Sequence, residues 1–438
     1  MRVAERVEDI VTSGLCTGCG MCESLLGSDT LRMDLSPEGF MRPRQIRTLS
    51  KADEGAVMQA CAGHRQVGPE PVGIEPHRMF GSCLHLAKGH ATAPDMRFEG
   101  ATGGVLTAVA AFLVEEKLVD AIIQIGASDS DPFANEVRFN TTREEIVASA
   151  GSRYGPVAPL TQVHAALDSG KRFAFIGKPC DVATLRNLAK TDPRVDRQIP
   201  YMLAMFCGGS PSVSATHNVV RRFGEDPREI AEFRYRGRGW PGPTFVRTRK
   251  GTVHRQSYDD TWFGDLTFEL MFRCKICADG LGEHADLVGG DCWVMEDGKP
   301  SHREMGDGWN IVIGRTTRGA ELAAKAVEAG YLHEEPFTIA EFEKMHDDHA
   351  LKKRSVFWRL LALTATRQPR PRYERLRVAE AGWRNASWRE RWAAFQGTFL
   401  RSVAGRNRES GIGSGSFVLE ETRNDIEKPA RGGEPHAA

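Results

Sequence analysis

Apolar and polar positions along the chain fall into runs of two different periods, and between residues 81 and 225 the two kinds alternate. Residues 105–118 place apolar side chains at helical spacing, after the small residues Ala101-Thr102-Gly103-Gly104, and predict a helix. Residues 119–125 (VDAIIQI) are apolar and β-branched, as in a strand buried on both faces. Residues 142–150 and 160–169 read as helices. Residues 173–177 (FAFIG) predict a short buried strand that runs into Lys178-Pro179-Cys180 and a helical pattern over 182–190. Residues 201–206 (YMLAMF) predict another, running into Cys207-Gly208-Gly209 and a helix from about 212 to 223. Strand, cysteine-bearing turn and helix thus occur twice, which predicts an α/β fold with a mostly parallel sheet. Residues 230–262 read as a more β-like insertion with hairpin alternation around Lys250-Gly251. A strand over 309–316 and a helix near 318–329 follow.

The ends of the chain differ from this centre. Residues 1–65 show no long amphipathic pattern but hold four of the ten cysteines, so they read as a small loop-rich module organised by what those cysteines bind. Residues 66–80, rich in Pro and Gly, read as a linker to a main domain over 81–345. Residues 346–410 read as a basic, Trp-rich helical segment, and 411–438, built of Gly, Ser and charge, as a disordered tail. A length of 438 residues suits two or three domains. Equal numbers of basic and acidic residues, 58 of each, give no reason to propose a nucleic-acid partner. That zero is a sum of opposites: −9 over 1–350, +11 over 351–410 and −2 beyond. No apolar run approaches the roughly 18–20 residues of a membrane span, and the first residues lack a signal-peptide core. The expectation is a cytoplasmic protein that does not span a membrane.

In a reducing compartment ten cysteines call for a reading other than disulfides. Cys16-x2-Cys19-x2-Cys22 lets three thiolates converge within one loop, the spacing of iron–sulfur ligand runs. A tetrahedral zinc site, with two ligands from each of two knuckles, suits it less well. Cys61 is the nearest candidate for a fourth ligand and Cys83 its substitute. Cys180 and Cys207 each stand where a buried strand meets a helix, on the edge where open parallel sheets bind ligands. Cys274-x2-Cys277 would close that set from a later loop, giving four thiolates for a second [4Fe–4S] cluster, with structural zinc the alternative. Cys83 and Cys292 otherwise read as core thiols. Thr102-Gly103-Gly104 before a helix exposes backbone N–H groups to an anion such as a phosphate, although it is not a G-x-G-x-x-G fingerprint. Gly151-Ser152-Arg153-Tyr154-Gly155-Pro156 places a cation and a ring in a tight loop.

Six segments in order, CTGCGMC (16–22), EGATGGVLTAV (99–109), GSRYGP (151–156), FIGKPCDVATLR (175–186), MFCGGSPS (205–212) and RCKICADGLGEHADLVGGDCW (273–293), resemble one family. It is that of the beta subunits of coenzyme F420 hydrogenases and dehydrogenases. Its wider membership includes 7-hydroxymethyl chlorophyll a reductase and ferredoxin-type divinyl chlorophyllide reductase. The resemblance implies a small N-terminal ferredoxin-like iron–sulfur module and a larger α/β flavin domain, followed here by a helical C-terminal segment. It implies FAD and two [4Fe–4S] clusters, with Cys16, Cys19 and Cys22 (and Cys61 as fourth candidate) on one, and Cys180, Cys207, Cys274 and Cys277 on the other. Thr102, Gly103, Gly104, Ser152, Arg153 and Tyr154 would surround the flavin, and Lys178 would lie beside its ring or phosphates. Ala101-Thr102 stands where many relatives have Ser-Ser, and no Cys-Pro follows the first triplet. The function so implied is an oxidoreductase coupling one-electron transfer through clusters to hydride chemistry at FAD. It implies a small-molecule substrate and a ferredoxin or F420-type deazaflavin partner, and leaves room for a place in a larger complex. The residues assign no catalytic acid or base. The competing readings are an electron-transfer subunit with no substrate of its own and a zinc-stapled scaffold.

Overall fold

The computed structural model describes residues 2–413 apart from 72, 74, 304 and 305. The tail expected to be disordered lies outside the described residues from 414 on. Among the described residues the centre is an eight-stranded sheet: β1 (His85–Ala91), β2 (Ala121–Ala127), β3 (Asn135–Asn140), β4 (Phe173–Gly177), β5 (Tyr201–Met205), β6 (Leu287–Asp291), β7 (Asn310–Gly314) and β8 (Leu332–Pro336). Their order is β8-β1-β7-β6-β5-β4-β2-β3. The block β6-β5-β4-β2 is parallel, in register at Leu287–Leu203, Leu203–Ile176 and Phe175–Ile123. Antiparallel strands extend it on both sides. All five residues of β4 are buried, because helices cover both faces of the parallel block.

The helices that matter for the site are α1 (Val105–Glu115), α2 (Pro179–Leu188), α3 (Val213–Arg222), α4 (Thr317–Glu328), α5 (Asp347–Ala365) and α6 (Trp388–Val403). The periodicity over 105–118 overruns α1 by one turn, since the chain reverses through Lys117 at φ 55°. Ser212 and Thr316 cap α3 and α4 with their hydroxyls, accepting from Ala215 N and Gly319 N at 3.1 and 3.0 Å. The hairpin expected near Lys250-Gly251 forms between Thr244–Thr248 and Val253–Gln256, with Gly251 supplying φ +88°.

Residues 1–65 hold short helices and the hairpin Leu31–Leu35/Met41–Gln45. Arg65–Val67, at the entry to the proline-rich stretch, pairs in parallel with Arg372–Glu374. The basic segment therefore lies against the body of the protein. In α5, Val356, Leu360 and Leu363 share a buried cluster with Leu15, Phe272 and Ile276, which flank the cysteine loops. No helix among the described residues is long and apolar enough to cross a membrane.

Candidate functional site

Two parallel strands deliver their cysteines to one edge of the sheet. β4 ends at Gly177, Lys178 is the N-cap of α2, Pro179 takes the first helical position and Cys180 the second. Asp181 accepts from Lys178 N at 3.1 Å and forms an ion pair with Lys178 Nζ at 2.8 Å. β5 leads through Phe206 to Cys207, whose N–H donates to Gly280 O at 2.8 Å. Neighbouring β6 contributes Gly289 and Gly290; a Cβ on Gly290 would lie 2.1 Å from the Phe206 ring, so only glycine lets that ring seat there.

Beyond these ends opens a cavity of about 1330 Å³, counted out into the solvent at its mouth. Thr102, Gly104, Ser152, Arg153, Tyr154 and Lys178, all singled out from the sequence, line it. Gly103 does not. Its N–H donates to Asn310 Oδ1 at 2.8 Å, and a Cβ there would lie 2.8 Å from the same atom, so this glycine serves close packing of the turn on β7. Asn310 holds the whole turn: it also accepts from Val105 N (3.2 Å) and donates to Thr102 Oγ1 (2.5 Å) and Gly290 O (2.9 Å). The Arg153 guanidinium is taken up by Asn135 Oδ1 (2.6 Å) and by the carbonyls of Ala134, Phe233 and Pro132 (3.0, 3.3 and 3.4 Å). It pins the loop, while its stem lines the cavity. Burial lowers its pKa and pushes the Tyr154 phenol up.

Three further wall residues carry no periodic signal in the sequence: Arg236, Asp291 and Asp181. Arg236 is buried and grips Asp291 at 2.7 and 3.0 Å. The Asp181 carboxyl is buried and pushed upward by that burial, and its Oδ1 has no hydrogen-bond partner. Burial acts against the Lys178 ammonium, but the paired Asp181 outweighs it and holds the charge above the usual lysine range.

Cys180, Cys207, Cys274 and Cys277 line a second cavity of about 420 Å³ of empty space, with Arg273, Lys352 and Thr17. Lys178, Cys207, Gly209 and Ser210 border both cavities. Burial pushes the Cys207 thiol up to about 12 and Cys180 well above its ordinary value. Burial raises Cys277 as well, against the pull of Arg273 and Lys352. Such thiols stay protonated until a metal takes the proton's place.

Cys16, Cys19, Cys22 and Cys61 form the other group. Burial, then the neighbouring Cys19 and Cys16, pushes Cys61 up to about 12. Cys83 stands elsewhere, 3.6 Å from Arg315 Nη1. The two groups meet through α2: Thr184 Oγ1 donates to Cys180 O at 3.0 Å and lies 3.9 Å from Cys19 Sγ. Arg42 Nη1 lies 3.4 Å from Met271 Sδ in the wall of the second cavity, and the charge of Arg42 acts on both Cys16 and Cys274. Among the described residues, the donors that come within 4.8 Å of one another as a set of three are His346, Asp348 and His349; neither cysteine group is drawn so tight.

Residues 86–164 match the family described as coenzyme F420 hydrogenase/dehydrogenase, beta subunit N-term, and residues 170–339 its C terminus. The chain belongs to this family. The matched ranges contain the larger cavity's Thr102–Lys178 residues and the second cysteine group; Cys16 to Cys61 and helices α5 and α6 lie outside them. Among curated relatives, the coenzyme F420-dependent sulfite reductase of Methanocaldococcus jannaschii is 25% identical over 355 residues, covering 78% of this chain and 50% of that protein. The F420-dependent formate dehydrogenase subunit beta of the same organism is 25% identical over 234 residues, covering 52% and 56%. The coenzyme F420 hydrogenase subunit beta of Methanococcus voltae is 26% identical over 265 residues, covering 58% and 84%. This family member thus spans about half the length of the first two relatives. A solved chain of the F420-reducing [NiFe] hydrogenase complex from Methanosarcina barkeri superposes with a TM-score of 0.48 at 22% identity, over 65% of this chain and 96% of that one.

Proposed function

We propose that this family member is an iron–sulfur flavoprotein oxidoreductase, with FAD in the large cavity and a [4Fe–4S] cluster on each cysteine group. The observation that carries the reading is the shared wall: Lys178, Cys207, Gly209 and Ser210 border both the large cavity and the smaller one that Cys180, Cys207, Cys274 and Cys277 line. Bound there, FAD supplies two-electron exchange with an organic substrate and the clusters supply single electrons. The residues present fit both groups. The turn Thr102–Gly104 brings the start of α1 to the cavity wall, where the first-turn N–H groups not taken by Asn310 can meet an anion. Asp181 Oδ1 awaits a donor, and Lys178 holds positive charge beside it. Eight buried or half-buried thiols sort into two groups of four. The C-x2-C-x2-C spacing of Cys16, Cys19 and Cys22 supports a cluster, in which each thiolate meets its own iron, over zinc.

The chain's own residues then have separable tasks. Asn310 and Gly103 set the phosphate-facing turn, Arg153 fixes the facing loop, and Lys178 with Asp181 places a compensated charge pair between the two cavities. The substrate is a small molecule, and the redox partner is ferredoxin or an F420-type deazaflavin in a cytoplasmic setting. Subunits of larger complexes among the named relatives support a similar assembly here. Residues 1–65, 81–345 and 346–410 would be the cluster module, the flavin domain and an added helical segment. Anaerobic purification with visible spectroscopy, flavin extraction and iron and sulfide analysis tests the reading. One FAD and about eight irons per chain are expected from two clusters; zinc without acid-labile sulfide overturns it.

A further inference from the structure

One set of metal donors belongs to neither cysteine group. His346 stands between the helix Ile339–Met345 and α5, and Asp348 and His349 occupy the first turn of α5. One donor atom of each lies within 4.8 Å of the other two. Acidic residues in a first helical turn are favourable through the helix dipole alone, and that accounts for Asp347 and Asp348. It does not account for the His346 ring. This side chain is buried; its Nε2–H donates to Asp291 O at 2.8 Å, and the ring stands edge-on to Phe206 (5.1 Å, 89°) and Phe342 (5.5 Å, 79°). A histidine whose outer nitrogen is held by a carbonyl presents its other nitrogen as a lone pair in a fixed direction, the arrangement that metal-binding histidines use. That nitrogen, Nδ1, faces Asp348 Oδ1 at 3.9 Å, too far for a hydrogen bond. His349 Nδ1 lies 3.1 Å from Oδ2 and 3.2 Å from Oδ1 of the same carboxylate, a hydrogen bond that a shared ion would replace.

We propose that His346, Asp348 and His349 bind a divalent transition-metal ion of the zinc type. Donors about 2.0–2.1 Å from one ion lie about 3.0–3.5 Å apart, so binding requires the three side chains, whose donors lie within 4.8 Å of one another, to draw together. The Asp348 carboxylate, 68% exposed, has room to move. Two imidazoles and one carboxylate suit zinc or iron(II) rather than calcium or magnesium, and three protein ligands beside solvent leave a position for water. His346 is anchored to the backbone of Asp291, and the Asp291 side chain grips Arg236 in the wall of the large cavity. Occupancy would therefore lock the start of α5 to that wall from outside.

The test uses the full chain purified anaerobically and dialysed against zinc chloride, with zinc, iron and acid-labile sulfide counted on each sample. Wild type is expected to hold one zinc more per chain than Asp348→Asn or His349→Gln, at equal iron and sulfide. Zinc affinity should fall at least ten-fold in each variant, and zinc should raise the melting temperature of wild type alone. Asp348→Asn alters an exposed side chain, so its folding is not in question. Equal zinc in all three proteins overturns the site, as does a wild-type melting temperature unmoved by zinc. Absence of sulfide from every sample would instead count against the clusters and leave the zinc difference readable.

Discussion

Glu409→Ala should release the end of the described chain from the cysteine module. Arg42 and Glu409 are 4% and 7% exposed and meet side-on through the Nε and Nη2 groups of the guanidinium, with Nη2 to Oε1 at 2.8 Å. Around this pair the chain forms a strap: Glu409 N donates to Thr12 O (3.2 Å), Ser410 N to Glu38 Oε1 (2.8 Å) and Gln45 N to Ile412 O (2.8 Å). An exposed pair would contribute 1 kcal/mol or less, at about the median for its kind. Here truncation leaves a guanidinium buried without its counter-charge, at a cost of about 3–5 kcal/mol. At about 1.4 kcal/mol per decade, the lower figure raises the opening equilibrium of the strap by about 100-fold. Hydrogen exchange read by mass spectrometry on peptides covering 41–45 and 406–413 measures this directly. The double variant Arg42→Met/Glu409→Leu removes both charges and should recover much of the loss. Unchanged protection in Glu409→Ala, or a double variant as open as the single one, refutes the argument.

Asn310→Ala strips partners from Gly103 N, Val105 N and Gly290 O at a buried site; at about 1–3 kcal/mol per orphaned group it should destabilise by at least about 3 kcal/mol, visible as a lower urea midpoint with an unchanged slope. Cys274→Ser with Cys277→Ser should remove about four of eight irons and leave the flavin content intact, whereas loss of all iron would show that the two groups do not load separately. His217 is held below the ordinary histidine value by burial and by Arg221, against Asp131. Its contribution is therefore present above about pH 6.5, the unfolded value, and is lost as pH falls below it. Urea midpoints at pH 7.5 and 5.5 should differ in that sense, and His217→Gln should narrow the difference.

How much of this was legible in the chain follows from the range of the forces involved. FAFIG and YMLAMF announce themselves because a strand covered on both faces has no polar position to interrupt it, and all of β4 is indeed buried. β1, HLAKGHA, carries no such signal, because its half-buried face includes Lys88 and His90 and its partners β7 and β8 lie more than two hundred residues away. The cysteine spacings are local, so Cys16-x2-Cys19-x2-Cys22 and Cys274-x2-Cys277 could be read as ligand runs. That Cys61 and not Cys83 joins the first group depends on where the helix Lys51–Ala60 sets it down.

Motif and orientation divide in the same way. The sequence by itself placed Thr102, Gly103 and Gly104 in a turn before an apolar helix, and Arg153 in a tight loop bounded by Gly151 and Gly155. Tertiary structure decided that Gly103 faces β7 and not the cavity, that the Arg153 guanidinium is taken up by carbonyls, and that Arg236, Asp291 and Asp181 complete the wall. Turn propensity and hydrophobic period are properties of neighbours along the chain. The wall of a cavity is made by residues that neighbour one another only after the sheet has closed, and no period in the sequence encodes which of them will meet.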